Sequence, residues 1–205
     1  MTILTEFLQK NYRDLLLRAP IFYSWPIGIR FDLQNDSPTA DDSYFREVVR
    51  RASVLFRAVF QADDPILVVH QQWRGKRLRI KRSSYLLRQL NLSKAQLAFQ
   101  QIDNPYPQSF RPGRWNRVCA VTTASRIPFS EILEAISHQD FPPKKPVVHG
   151  DTFFLNQRTG IIFHMYDDRG IDIIAPTAAV LRHLYETHKD LILDYDREKI
   201  TAVFA

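Results

Sequence analysis

The densest group of side chains able to do chemistry is the run H-M-Y-D-D-R-G-I-D, His164 to Asp172. Asp167, Asp168 and Asp172 offer carboxylate oxygens and His164 an imidazole nitrogen, the donor types a divalent cation takes. The same residues are what a hairpin turn prefers: Asp side chains bond nearby backbone N–H groups, and Arg169 can pair with a neighbouring acid. The turn accounts for each residue without a metal, so no metal or other cofactor is assigned, and a divalent-metal enzyme stays a secondary reading. Period-two alternation puts His164 and Tyr166 on one strand face and Met165 on the other. Arg30 and Asp32 share a face of an earlier predicted strand in the same way. A cleft built from Arg30, Asp32, His164, Tyr166, Asp167, Asp168, Arg169 and Asp172 is therefore the predicted interaction site. The bland alternative for Arg30 and Asp32 is an exposed ion pair, which contributes little.

Templates for nucleophilic or phosphate chemistry are missing. The sequence has no G-x-S-x-G, no Walker A and no G-x-G-x-x-G, and Cys119 sits in an apolar stretch where a thiol is inert packing. His149-Gly150-Asp151 could form a dyad on a bend or simply a turn into a strand. His183 and His188 are five apart, which is not the i, i+4 spacing of a helical metal pair. No catalytic residue is assigned.

The second feature is charge. Between His70 and Arg117 there are eleven Lys and Arg against the single acid Asp103, a local charge of +10 that leaves −4 for the rest of a chain whose total is +6. Local potential steers association with polyanions more than global charge does. Trp73, Arg74, Lys76, Arg77, Arg79, Lys81, Arg82, Arg111, Arg114 and Arg117, interleaved with aromatic residues, are the types that phosphate contact and base stacking would use. A solvated outer strand whose cations block edge pairing is the alternative.

The elements that must position these residues follow from periodicity. Apolar residues at three- and four-residue steps predict helices over 3–18, 43–60, 83–90, 93–101, 130–138 and 177–191, with a short terminal helix favoured by Asp194, Asp196 and Glu198. Alternation or apolar runs predict strands over 27–33 and 66–69, the latter with an extension to 73 as an alternative, a basic strand over 77–81, and another over 117–125. Asp42 or Ser43 is the expected N-cap of the second helix. Pro105, Pro107, Pro112 and Gly113 make 103–115 irregular, and Pro142, Pro143 and Pro146 a stiff connector. Strands over 151–156, 160–166 and 171–175, joined by hairpin turns with Gly160 and Gly170 available for left-handed positions, predict a meander followed by a helix. Helices and strands mix without regular alternation. The predicted class is α+β: a single mostly antiparallel or mixed sheet with flanking helices, in one domain over 1–205 with a basic, partly irregular insert at about 73–117.

An apolar fraction of 45% with 24% charged residues excludes a disordered or fibrous chain. One cysteine excludes an internal disulfide, which fits a cytoplasmic location. Glu6 interrupts the apolar start, so no signal peptide is expected, and no apolar run approaches a membrane span.

Two blocks, F-Y-S-W-P-I-G-I-R-F-D-L at Phe22 to Leu33 and G-I-I-F-H-M-Y-D-D-R-G-I-D-I-I-A at Gly160 to Ala175, precede L-Y-E-T-H-K-D-L-I-L-D-Y-D-R-E near the C-terminus. This arrangement resembles an uncharacterised bacterial family known only as a domain of unknown function. The resemblance supplies no activity and no catalytic residues; small bacterial proteins of this kind are sometimes encoded beside secreted toxins, which implies an immunity-like or adaptor role by association. The expectation is a non-enzymatic module that binds a protein partner, with nucleic-acid binding through 74–117 as the alternative and no membrane partner.

Overall fold

The structure, a computed structural model, describes residues 2–13, 15–34, 39–73, 75–106 and 113–205. Its frame is one seven-stranded sheet in the order β1-β7-β6-β5-β2-β4-β3. The strands are β1 (Gly28–Asp32), β2 (Pro65–Trp73), β3 (Leu97–Ile102), β4 (Trp115–Thr123), β5 (Asp151–Asn156), β6 (Ile162–Met165) and β7 (Gly170–Ile174). Every pairing is antiparallel. The chain is thus α+β, and the sheet has no parallel pair among the described residues.

Alternation along the strands sends two sets of side chains to two layers. Ile29, Phe31, Val68, Val118, Phe154, Phe163, Ile171 and Ile173 face a core built with α2 (Asp42–Val59), α3 (Tyr85–Leu90), α4 (Phe129–Ser137), α5 (Ala178–Thr187) and α6 (Arg197–Phe204). Leu67, Val69, Cys119, Phe153, Leu155, Ile162 and Ile174 face α1 (Ile3–Asn11) and the segment after it, through Tyr12, Leu15, Leu17 and Ile21. Tyr12 locks that layer: its hydroxyl donates to the carbonyls of Gly160 (2.5 Å) and Ile174 (3.1 Å). Cys119 is buried there, and burial pushes its thiol up to about 11, so it stays protonated and inert.

Several expectations need correction. The first helix stops at Asn11, because Tyr12 turns inward to bind the sheet. Asp41, not Asp42 or Ser43, caps α2 by accepting from the Ser43 and Tyr44 amides. The helix expected over 93–101 is one 3-10 turn, Lys94–Gln96, followed by β3; pairing with β4 supplies hydrogen bonds that outweigh local helix preference. The basic strand expected over 77–81 is a loop. Of its two apolar residues only Ile80 is buried, while Leu78 stays 69% exposed, so the alternation marks one anchor and not a strand face. Gly170 is not left-handed, unlike Gly160 at φ +80. Its missing side chain serves close approach, since a Cβ there would lie 2.1 Å from the Tyr166 hydroxyl and 2.6 Å from the Phe31 carbonyl.

Candidate functional site

At the β1 end of the sheet the strand registers bring distant residues together on the α1-facing side. Asp172 of β7 stands opposite Arg30 on one neighbour and opposite His164 on the other. The Arg30 guanidinium donates from Nε to Asp172 Oδ1 (2.7 Å) and from Nη2 to Oδ2 (2.9 Å), a planar two-bond fork. Oδ2 also accepts the Phe22 amide at 3.1 Å. The 3-10 turn Ile21–Ser24 that follows Pro20 aims that amide. Asp172 is fully buried. Burial pushes its carboxyl up, while Arg30 and the Phe22 amide pull it back towards the charged form.

Arg30 is also framed by rings. Its guanidinium carbon lies 4.6 Å from the Tyr23 ring centre, 5.3 Å from Phe22 and 5.4 Å from Tyr166, within cation–π range. Its Nη1 is 3.7 Å from Asp196, whose two oxygens accept the Tyr23 hydroxyl at 3.1 and 2.9 Å. Asp196 is buried. It joins the C-terminal segment to the first block, beyond complementing the start of α6.

His164 lies under this group, stacked on Phe153 with ring centres 4.3 Å apart and tilted by 21°. It is 1% exposed, and neither ring nitrogen has a hydrogen-bond partner among the described residues. Burial, helped by the Arg30 charge, pushes its pKa down to about 3, so the imidazole is neutral at pH 7.

Above these residues opens a cleft of about 470 Å³, lined by Ala19, Pro20, Arg30, Asp32, Gln34, Tyr166, Asp167, Arg169 and Leu193. Five of the eight predicted cleft residues therefore share one wall system. Asp167 accepts the Arg169 amide at 2.8 Å and is ion-paired with the same residue's guanidinium. Asp32 accepts the Gln34 amide at 2.9 Å. His164 and Asp172 form the buried support beneath the cleft and do not line it. Asp168 leaves the group: its carboxylate accepts the Tyr44 hydroxyl of α2 at 2.5 Å, on the helix-packed side. The run His164 to Asp172 is thus divided between two sides of the sheet. Among the described residues no three His, Cys, Asp or Glu side chains are grouped to hold a metal ion.

Tyr23, Asp196 and Tyr44 complete the polar arrangement; the sequence marks Asp196 only as charge at the start of a terminal helix and neither tyrosine as a site residue. Tyr23 lies inside the first family-like block and Asp196 inside the D-Y-D of the third. Block membership was the available signal. Tyr44 gave none, since it reads as one more apolar position of α2.

The basic candidates do not gather in one place. Arg74 and Arg111 lie outside the described residues. Lys76, Arg77, Arg79, Lys81 and Arg82 are exposed on the loop between β2 and α3, on the helix-packed side of the sheet. Arg79 lies 5.9 Å from the Phe99 ring centre, and Arg82 donates to the Leu92 carbonyl. Arg117 is on the opposite side, donating to Gln71 Oε1 at 3.2 and 2.9 Å. Trp73 is 44% exposed at the end of β2, and Arg114 is exposed just before β4. His149 and Asp151 also part company: Asp151 accepts the Tyr106 hydroxyl at 2.7 Å, whereas His149 lines a cavity with His70 and Tyr85.

A sheet closed by helices on one side and a short N-terminal layer on the other, with a recessed polar cleft at its β1 end, defines the class as an α+β domain. Residues 4–196 match the family model described as a domain of unknown function, DUF3885, and the chain belongs to that family. It is also 26% identical over 216 residues to the uncharacterized protein YnaE of Bacillus subtilis (strain 168), covering 94% of this chain and 98% of that protein. No solved structure matches the chain. No helix among the described residues is long and apolar enough to cross a membrane.

Proposed function

We propose that the protein works by binding another protein through the cleft above Arg30, as a non-enzymatic module of the immunity-like or adaptor kind acting in the cytoplasm. The observation that carries this reading is the cleft's make-up. Arg30 is neutralised by Asp172 and Asp196 beneath it and Asp167 by Arg169, and the cleft's margin carries exposed aromatic side chains: Tyr23 is 48% exposed and Tyr195, beside Asp196, is 87% exposed. Tyrosine and arginine around a recessed pocket are the residue types that dominate binding energy at protein interfaces. The pairing of Arg30, Asp167 and Arg169 also favours a partner over a reaction, because these groups are held by one another or by the buried carboxylates.

The test is affinity capture from the source bacterium with wild type and with Tyr23→Ala/Tyr195→Ala, followed by titration of the purified partner. One stoichiometric partner is expected. Loss of two interface tyrosines should weaken it at least about 30-fold, given about 2 kcal/mol or more for an aromatic anchor, while Arg88→Gln on α3 changes nothing. Recovery of no partner, or equal binding by the double variant, would overturn the reading. Suppression of the partner's own activity by wild type distinguishes an immunity-like role from an adaptor.

A further inference from the structure

At the far end of the sheet, on the helix-packed side, a cavity of about 210 Å³ is lined by His70, Gln72, Arg77, Lys81, Ser83, Ser84, Tyr85, Leu86, Val147, Val148 and His149. Two cationic side chains, three hydroxyls and two imidazoles meet there, and among the described residues no carboxylate is in the lining. The sequence makes this possible, since no Asp or Glu occurs between Asp64 and Asp103. Glu131 and Glu134 of α4 reach Tyr85 electrostatically but do not line the cavity. The 510 Å³ cavity between α2 and α4 differs, with Asp42 and Glu134 beside Lys144 and Lys145.

The loop that supplies the cations is irregular yet held in place. Ile80, 1% exposed, anchors it in the core. Asn116 of β4 donates to the Arg77 carbonyl at 3.1 Å, Gln101 of β3 donates to the Leu78 carbonyl at 3.0 Å, and the Ser84 amide donates to the Lys81 carbonyl at 2.9 Å. The Ser84 hydroxyl is buried and has no partner among the described residues, although buried polar groups are nearly always satisfied. His70, 3% exposed, is fixed in the wall by its Nδ1 contact with Thr152 Oγ1 at 2.9 Å.

We propose that this cavity binds a single phosphate group, held by Arg77 and Lys81 and by the hydroxyls of Ser83 and Ser84. Donors from several directions suit the oxygens of a tetrahedral anion better than the two of a carboxylate. The size argues the same way: clefts that enclose drug-sized molecules run to about 300–1,000 Å³, so this one takes one group and leaves the remainder of its carrier outside. The group is inorganic phosphate, or the terminal phosphate of a nucleotide or oligonucleotide.

Amide chemical shifts of the whole chain, titrated at constant ionic strength with chloride as the control, test this. The probes are inorganic phosphate, adenosine monophosphate, and a trinucleotide with and without a 5′-phosphate. Saturable shifts at Ser83, Ser84 and His149 with phosphate are expected. Arg77→Gln and Lys81→Gln should each weaken binding about tenfold or more, the worth of a hydrogen bond to a charged group. Ser84→Ala should weaken it less, and Arg88→Gln not at all. Tighter binding of the monophosphate, or of the phosphorylated trinucleotide over its unphosphorylated twin, supports the proposal and identifies the carrier. No saturable shift with phosphate, undiminished binding by the Arg77 and Lys81 variants, or equal binding of the two trinucleotides in the absence of phosphate binding would overturn it.

Discussion

The two ends of the sheet use charge in opposite ways. At the β1 end, Arg30, Asp172 and Asp196 are buried and satisfy one another through strands that are far apart in sequence. At the β3 end, Lys76, Arg77, Arg79, Lys81 and Arg82 sit close together in sequence, in a stretch without acids, and stay exposed. Buried charge is tolerated only when paired. Exposed like charge needs no buried counter-ion, because water and salt screen it. One end is therefore sensitive to the loss of a single atom's charge, and the other is free to vary as far as folding is concerned.

That contrast can be broken most forcefully at Asp172. Asp172→Asn leaves the Arg30 guanidinium buried without its full countercharge and should cost about 3–5 kcal/mol in urea unfolding. The double change Arg30→Met/Asp172→Leu should recover most of that loss, because a buried pair is replaceable by apolar packing. If the single variant lost less than about 1 kcal/mol, the seam would not be the interior ion pair described.

A smaller effect is expected from pH. His164 and His70 have folded-state pKa values depressed by burial to about 3 and about 4. Below the ordinary value near 6.5 the unfolded chain takes up protons that the native state refuses. Their stabilising contribution is complete above about pH 6.5 and is lost as pH falls, by about 1.4 kcal/mol per pH unit for each group until its folded pKa is reached. His164→Phe keeps the stack on Phe153 and removes one of the two contributions, so thermal midpoints should fall less steeply between pH 6.5 and 4. An unchanged slope would mean that His164 is protonated in the native state. The least effect is expected at the basic end: Arg77→Gln/Lys81→Gln should alter unfolding free energy by no more than about 0.5 kcal/mol per site, and a larger loss would show that the loop's cations help hold the fold.

Legibility followed the range of the interactions. The C-terminal meander and α2 were readable because alternation and helical periodicity are written locally, and the strands over 151–156 and 171–175 match β5 and β7 to within a residue. The segment 93–101 misled because its preference is weak and the hydrogen bonds of β3 come from β4, paired from Leu97 with Ala120 to Ile102 with Trp115. Leu78 and Ile80 misled for a related reason: two apolar residues cannot tell a strand face from a single anchor. The pairing of Arg30 with the His164–Asp172 run was anticipated as a cleft, yet the departure of Asp168 to Tyr44 and the arrival of Tyr23 and Asp196 depended on how layers stack.

By itself the sequence determined the composition-level facts: a chain able to build a large core, α+β patterning, an acid-free cationic stretch, and the identity of the polar residues that alternate on β1, β6 and β7. Tertiary structure alone decided which of those residues are buried, which carboxylate faces which cation, and that one stretch of basic residues lines a cavity while Arg117 lies across the sheet. The reason is that side-chain periodicity is a property of a single strand. Register, layer order and burial come from partners scores of residues away, whose hydrogen bonds and packing no local window contains.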